Sequence, residues 1–491
     1  MKYIRQKTMI QVSRIHVQTS LGMTIKAPFE AYGLTSLDHT VPPCYVRFAL
    51  IFPVPNVASA VESLQQGAAL LASELPVVTG CVAPVRTPGA RKGAMQVVPP
   101  SHPGDADASI LNVKHHKVSY HARSTMTEEQ YLPLALFADP HSPAPILRLQ
   151  ANAMTDGIIL GIAFHHRAMD ATGAAVLIRD LARCCTRAGG SSSQITGELE
   201  TSPGAQIDGR ALLSASGLGR SVLRPSIDHS AEYPVVAPPD ENTIRAMQQA
   251  ARSLTMKRFL LPAEKLESLA NACNGWLRES SENLEQPWVS KNDVLVSFFW
   301  MCFIRAQQDR SNERTTTVLP VSGMICMAVN IRGRTTPSIP ATYIGNALVP
   351  LRRSIRMDVV PDDQSSIIQT LSRVAYAVRK KLRSIDDTFI RNVVAYLEGV
   401  SDFSALGVGQ SNFNVSSWRD TGIGTADFGH DLGKPVDMVF PEAIGDGQLF
   451  ILPKRHQDNA WEVQMSLQQD AMERLCADEI FASYTCRPKQ P

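Results

Sequence analysis

Of the twelve histidines in this chain, His166 alone has an aspartate four residues later, Asp170. A neutral imidazole can take a proton near pH 7, so a histidine in the right setting is a candidate general base. An H-x-x-x-D pattern by itself carries little specificity, so its surroundings decide its weight. The stretch before it, Gly157-Ile-Ile-Leu-Gly-Ile-Ala-Phe164, is almost continuously apolar and reads as a strand buried on both faces. After Ala171 the pattern changes period, and Ala174, Leu177, Ile178, Leu181 and Cys185 fall on one stripe of a helix running to Arg187. The histidine thus sits where a buried strand hands over to a helix. In α/β proteins such strand ends open onto a cleft.

Other common chemistries lack their motifs. The chain has no G-x-S-x-G nucleophile elbow, no G-x-x-x-x-G-K-[ST] phosphate loop and no H-E-x-x-H zinc pair. The glycine pairs at 407/409 and 422/424 lack the third glycine of a dinucleotide-binding loop. What remains is a histidine acting as general base without a covalent intermediate. His115, His116 and His121 have no Cys or carboxylate at ligand spacing, so no metal site is expected. Arg379-Lys-Lys-Leu-Arg383 reads as a solvated helix face, with contact to an anionic cofactor as the minority reading.

The chain has 491 residues, 44% of them hydrophobic, and a net charge of +2 from 48 basic and 46 acidic residues. That is enough apolar material for two or more cores, and the balanced charge calls for neither nucleic acid nor a membrane surface. Nine cysteines without C-x-x-C spacing fit a reducing compartment. Met1 to Lys7 is charged but has no apolar run behind it, and no apolar run reaches the length of a membrane span. A soluble, cytoplasmic protein is expected.

Along the chain, residues 1–30 read as a leading strand and loop, Tyr45 to Phe52 as a strand, and Val57 to Leu71 as an amphipathic helix. Val113 to Tyr120 and Ile146 to Ala151 are further strands. From Ala188 a Gly-, Ser- and Pro-rich texture with little periodicity continues to about 255. The division this suggests is 1–187, a crossover linker at 188–255, and 256–491. The second half mixes helices and strands again, with a capping box at Ser290-Lys-Asn-Asp293 and a last helix over about 470–482. Two α/β units of similar build are expected.

Several ordered motifs now add up. His166-x-x-x-Asp170, Val329-Asn-Ile-Arg332, Tyr343-Ile-Gly-Asn346, Val415-Ser-Ser-Trp418 and Asp427-Phe-Gly429 with Gly433-Lys-Pro435 occur in this order, and Leu37-Asp38 and Ser290-x-Asn-Asp293 also match. Together they resemble the BAHD acyltransferases, in particular the fungal secondary-metabolite branch. The resemblance implies an α/β fold of two chloramphenicol-acetyltransferase-like domains with mixed sheets and a channel between them. It further implies acyl-CoA, most simply acetyl-CoA, as co-substrate, no permanently bound cofactor, and a hydroxyl on a small-molecule acceptor such as a terpenoid, alkaloid or polyketide.

By the same resemblance His166 is the base, with Trp418 and Ser416 as candidate donors to the oxyanion. Asp170 pairs with Arg332 as structural support rather than as part of a triad, and Asp427 and Gly429 belong to a supporting loop. In that loop His430 and Asp431 stand where the family has Trp and Gly. A monomer is expected. The alternatives are acyl transfer from a carrier protein or to nitrogen on the same fold, and a non-catalytic binding protein on a decayed fold.

Overall fold

The apolar run at Gly157 forms a nine-residue strand, Gly157–His165, buried at every position. It is the central strand of a five-stranded sheet: its neighbours on both sides are strands, and helices cover one face. The computed structural model describes residues 28–486, except for 101–108, 140–141, 190–197, 215, 219–227, 238–239, 281–283, 309–320, 358–362, 408, 410, 442, 444 and 456–458. The leading strand read over residues 1–30 lies almost wholly outside the described residues.

The first half contains β1 (Tyr32–Gly33), β2 (Tyr45–Pro53), α1 (Val57–Glu74), β3 (Cys81–Pro84), β4 (Met95–Val98), β5 (Leu111–His115) and α2 (Glu128–Tyr131). It continues with β6 (Ala144–Pro145), β7 (Leu147–Ala153), β8 (Gly157–His165) and α3 (Ala171–Ala188). Two helices follow in the crossover, α4 (Pro203–Leu212) and α5 (Glu241–Arg252). The second half runs β9 (Leu254–Pro262), α6 (Ala263–Glu279), α7 (Lys291–Gln307), β10 (Val321–Asn330), β11 (Leu348–Met357), α8 (Gln364–Arg383) and α9 (Asp387–Glu398). It ends with β12 (Phe413–Ser417), β13 (Asp437–Val439), β14 (Gln448–Ile451), β15 (Ala460–Gln468), α10 (Gln469–Ala477) and α11 (Glu479–Tyr484).

These strands make a five-stranded sheet in the order β13-β2-β8-β7-β5, a six-stranded sheet β11-β10-β12-β14-β15-β9, and a small sheet β1-β4-β3-β6. Both large sheets are mixed: β5 with β7, β10 with β12 and β12 with β14 are parallel, and the other pairings are antiparallel. Side chains alternate across a strand, so each sheet has two distinct faces. Ile325, Met327, Phe413, Val415, Leu449 and Met465 join the core with the helices of the second half. The other face of the same strands carries Cys326, Asn414, Ser416, Phe450, Gln464 and Arg258 and turns away from that core.

Sequence order and structural unit part company at β13. It comes from the second half yet pairs antiparallel with β2, Val439 opposite Ala49, and closes the edge of the first sheet. Trp418, Phe428, Phe440, Phe450 and Leu452 follow it into the first half's core. The crossover is ordered where it is described: Leu213, Leu218 and Tyr233 are buried in the second half's core. These buried residues are spaced apart and lie outside the two short helices, so no period shows in the sequence. Two local readings also change. The strand expected to reach Tyr120 stops at His115 and gives way to a 3-10 turn over Tyr120–Thr125, and the last helix breaks at Asp478, which caps α11.

The seam between the sheets is held by a charged cluster. Arg258 on β9 donates to Asp437 at 2.8 Å and to Glu462 at 3.1 Å, Arg123 reaches Asp437 at 3.2 Å, and the Arg258 guanidinium also contacts the Met438 carbonyl. Asp437 and Glu462 are mostly buried, so removing the cation between them leaves acids with reduced compensation. Arg258→Ala is therefore expected to lower unfolding stability by about 2 kcal/mol, less than a fully buried pair because Arg258 is partly exposed. Chemical denaturation of the variant and wild type checks this.

Candidate active site

β8 delivers His166 one residue beyond its end, and the main chain of that residue is tied on both sides. His166 N–H donates to the Cys44 carbonyl at 2.8 Å, and the Asn346 side-chain amide donates to the His166 carbonyl at 2.9 Å. The ring's Nδ1 is buried and makes no hydrogen bond. The residue as a whole is half-buried, which leaves Nε2 as the ring nitrogen facing open space. Burial holds the ring below the ordinary value of 6.5, opposed by the carbonyls of His166 and Met169 and by the charge of Asp170. An imidazole in this state is neutral at pH 7 and able to accept a proton.

His165 points the other way, as neighbouring strand residues do. Its ring packs edge-on against Tyr45 at 5.5 Å, and its Nδ1 accepts the Arg167 N–H at 3.2 Å. Burial, with Arg167 and His166 adding, pushes it down to about 3. It is a neutral packing residue.

Asp170 does not reach His166 by a hydrogen bond; its carboxylate is spent elsewhere. It caps α3, accepting the Gly173 N–H at 2.8 Å, and takes both ends of the Arg332 guanidinium at 2.8 and 3.2 Å. The Ala347 N–H adds a fourth donor at 2.9 Å. Arg332 in turn donates to the carbonyls of Tyr343 and Gly345, each at 2.7 Å. Both side chains of the pair are almost fully buried. A fork-shaped cation against a carboxylate with every lone-pair direction used is the arrangement that tolerates such burial. Gly173 is needed at this crossing because a Cβ there would lie 1.9 Å from the Ile344 carbonyl oxygen.

Trp418 follows β12 and is buried among Phe48, Phe164 and Phe440, with ring centroids 5.4, 6.4 and 5.3 Å away. Phe164 links it to the strand that carries His166. The indole N–H is buried and makes no hydrogen bond. Ser416 lies on the open face of the six-stranded sheet, half-buried, at the head of a lateral row Ser416, Phe450, Gln464, Arg258. The large cavity of about 810 Å³ lies farther along this face, lined by Met256, Arg258 and Gln464 and by Ala49, Ile51 and Ile159 of the first sheet. Ile159 is six residues before His165, roughly 20 Å along β8, so this cavity is separate from the base.

Asp427 and Gly429 lie at the other end of α3. Thr186 donates to the Asp427 carbonyl at 3.3 Å, and Asp427 accepts the Gly429 N–H at 3.0 Å. Thr186 is fifteen residues from Ala171, about 22 Å along the helix axis, so this loop is remote from the His166 end. Gly429 has φ +89° and would press a Cβ to 3.1 Å from Thr186, two reasons for glycine there. His430 is 90% exposed, whereas Asp431 accepts hydroxyl donors from Ser59 at 2.7 Å and Ser63 at 2.6 Å on α1. The departures at 430–431 thus fasten a loop to a helix and leave His430 without a buried partner.

The remaining candidates resolve simply. His116 bonds Asn152 at 3.1 Å, and among the described residues no group of three or more His, Cys, Asp or Glu could hold a metal ion. Arg379 is not a free solvated cation: it donates to Asp293 at 2.7 Å and to Ser290 at 2.6 Å, bracing the capping box of α7. The sequence offered no sign that Asn346 would touch His166. The contact joins positions 180 residues apart.

Residues 116–480 match the Transferase family, and residues 44–185 match the Trichothecene 3-O-acetyltransferase-like N-terminal domain. O-acetyltransferase ptmV of Penicillium ochrochloron is 41% identical over 94% of this chain and 98% of its own length. O-acetyltransferase astG of Aspergillus oryzae is 35% identical over 89% and 98%. The structure of F. sporotrichioides TRI101 complexed with coenzyme A and T-2 shares the fold at a TM-score of 0.69 and 23% identity, covering 93% of this chain and 99% of that one. Vinorine synthase shares it at 0.55 and 17%, covering 95% of each. The two-domain α/β fold with mixed sheets expected from the motifs is therefore the fold of this chain.

Removing the Asp170 carboxylate strands a buried guanidinium. Asp170→Ala is expected to cost about 3–5 kcal/mol of stability. Asp170→Asn, which keeps a capping oxygen, is expected to cost less. Thermal unfolding of the two variants gives the comparison, and equal losses would mean that the retained capping oxygen contributes nothing and the charge carries the whole effect.

Proposed function

This chain belongs to the BAHD-type Transferase family, and from that premise we propose that His166 is the general base of its reaction, with Trp418 and Ser416 supplying the oxyanion donors. The protein is an acyl-CoA-dependent O-acetyltransferase of secondary metabolism. The observation that supports the residue assignment is the state of His166: a ring kept neutral, with Nδ1 buried and Nε2 open, at the mouth of a buried strand.

An alcohol is a poor nucleophile at neutral pH. Nε2 of His166 accepts the hydroxyl proton as the oxygen attacks the thioester carbonyl of acetyl-CoA, so that a C–O bond forms while negative charge moves to the carbonyl oxygen. Trp418 carries a buried indole N–H without a partner and Ser416 a hydroxyl on the open sheet face, donors of the kind such an oxyanion needs. The C–S bond then breaks, and the departing thiolate recovers the proton from the imidazolium. Asp170 and Arg332 hold the junction in place and take no proton. Asp427 and Gly429 hold the far end of α3.

The acceptor is a small hydroxylated molecule of terpenoid, alkaloid or polyketide type. We further place the protein in the cytoplasm as a monomer. All nine cysteines are free thiols, which suits a reducing compartment, and no described helix is long and apolar enough to cross a membrane.

His166→Ala is expected to lower kcat/KM by about 10²–10⁴-fold without changing the unfolding midpoint. Mass spectrometry of acetyl-CoA incubated with a pooled panel of hydroxylated metabolites reads the product as a gain of one acetyl group. Near-wild-type turnover by the variant would remove His166 from the mechanism. The pH profile follows from the sign of the shift: a base whose value is lowered stays unprotonated to lower pH. Activity should persist as pH falls through 6.5 and decline only below it, whereas an acid limb at or above 6.5 would contradict the burial argument.

A further inference from the structure

The clamp on His166 continues two residues outward, through groups that no step of the reaction uses. Asn346 is wholly buried. One side-chain amide group serves two acceptors, the His166 carbonyl at 2.9 Å and Asp38 Oδ1 at 2.9 Å, and the Asn346 backbone N–H reaches the same Asp38 oxygen at 3.0 Å. The other oxygen of Asp38 accepts the Thr35 N–H and the Thr35 hydroxyl, both at 2.7 Å. Asp38 is itself only 2% exposed, so a carboxylate from the 3-10 turn Leu37–Thr40 is buried behind the site with four donors on it. The Asn346 side-chain oxygen, by contrast, is buried and makes no hydrogen bond. A buried amide that leaves its acceptor unpaired while both its bonds run through the donor end needs an explanation.

The explanation lies in what the His166 carbonyl does. With the His166 N–H tied to the Cys44 carbonyl and its own carbonyl tied to Asn346, the backbone from which the imidazole projects is held on both sides. Whatever fixes this carbonyl therefore fixes the ring's aim. Asn346 is delivered to it by the segment 343–347, which Arg332 and Asp170 grip at the Tyr343 and Gly345 carbonyls and the Ala347 N–H.

Resting on the reading of His166 as the base, we propose that Asp38 and Asn346 are positioning residues for the reaction: Asp38 orients the Asn346 amide, and that amide fixes the His166 carbonyl so that Nε2 faces the acceptor hydroxyl. Neither touches a substrate. Their effect falls on kcat and on the protonation of His166, and KM for acetyl-CoA stays near wild type. Asp170, Asp38 and His165, the titratable groups nearest the His166 ring and its clamp, are all unaltered in Asn346→Ala, so a moved acid limb in that variant reports the carbonyl.

The test compares Asn346→Ala, Asp38→Asn and Asp38→Ala with wild type, using acetyl-CoA and whichever acceptor the panel identifies. Circular dichroism and acetyl-CoA titration first establish that each variant is folded and binds donor. Asn346→Ala should lose about 10–100-fold in kcat, the scale of a misplaced reacting group, with KM for acetyl-CoA within threefold. Its acid limb should move to lower pH, because the imidazolium loses a fixed acceptor. Asp38→Asn keeps an oxygen for Asn346 and should recover most of the activity that Asp38→Ala loses.

Wild-type kcat and acid limb in folded Asn346→Ala would overturn the proposal, as would a loss that merely tracks the unfolded fraction. If Asn346→Ala does not fold, the Asp38 pair decides: wild-type kcat in folded Asp38→Ala overturns the proposal, and a lowered kcat with KM for acetyl-CoA within threefold, largely restored in Asp38→Asn, supports it. Failure of the base assignment is separate and visible, since His166→Ala would then retain activity whatever these variants do.

Discussion

Asp170 puts a carboxylate in a place where water reaches only 2% of it, and an ion so buried must be surrounded by donors or it unfolds the site. The donors it finds come from three places: its own helix through Gly173, β10's outgoing loop through Arg332, and the start of β11 through Ala347. A single charge thereby joins the first half of the chain to the second at the point where the reacting histidine emerges. Arg332 suits the task because its planar fork satisfies both carboxylate oxygens and still has N–H groups for two carbonyls; lysine offers no such plane. The rest of the site geometry hangs from this pair.

The histidine itself obeys an opposing requirement. A buried imidazole beside a carboxylate would be driven toward the charged form if the two were hydrogen-bonded, and a charged imidazole accepts no proton. Committing Asp170 to Arg332 resolves the conflict: the acid stabilises the junction while its charge acts on His166 only at a distance, and burial wins. The same logic explains His165, which is adjacent in sequence, more deeply buried and aimed at Tyr45, a packing residue in every respect.

The legible features were local in the chain. Eight nearly continuous apolar residues announced β8, the change of period after Ala171 announced α3, and the hydroxyl-to-carboxylate spacing at Ser290 announced a capping box that forms as read. What stayed hidden depends on partners far away in sequence. Asp437–Val439 is three residues long and could have belonged to either sheet; only its pairing with β2 settles the matter. The Asp38 to Asn346 bonds join positions 308 apart, and nothing in Thr35-Ser-Leu-Asp38 beyond a turn-like spacing hints at a buried carboxylate serving a distant amide. The crossover looked featureless because its described contacts with the second core come from single residues, Leu213, Leu218 and Tyr233, spaced apart outside its short helices.

The altered loop at 427–435 completes the mechanical picture. α3 is held at its start by the Asp170 cap and at its end by the turn around Gly429, about 22 Å away along the axis. Asp431 extends that second anchor to α1 through two serine hydroxyls, and α1 lies so close to α3 that a Cβ on Gly67 would meet the Cys185 sulfur at 2.4 Å. A helix pinned at both ends and pressed along its side cannot tilt without breaking several buried contacts at once. In this loop Asp431 supplies the contact with α1 while His430 turns to solvent. Rigidity at the remote loop and precision at the strand end are one property of this helix, and His166 draws on both.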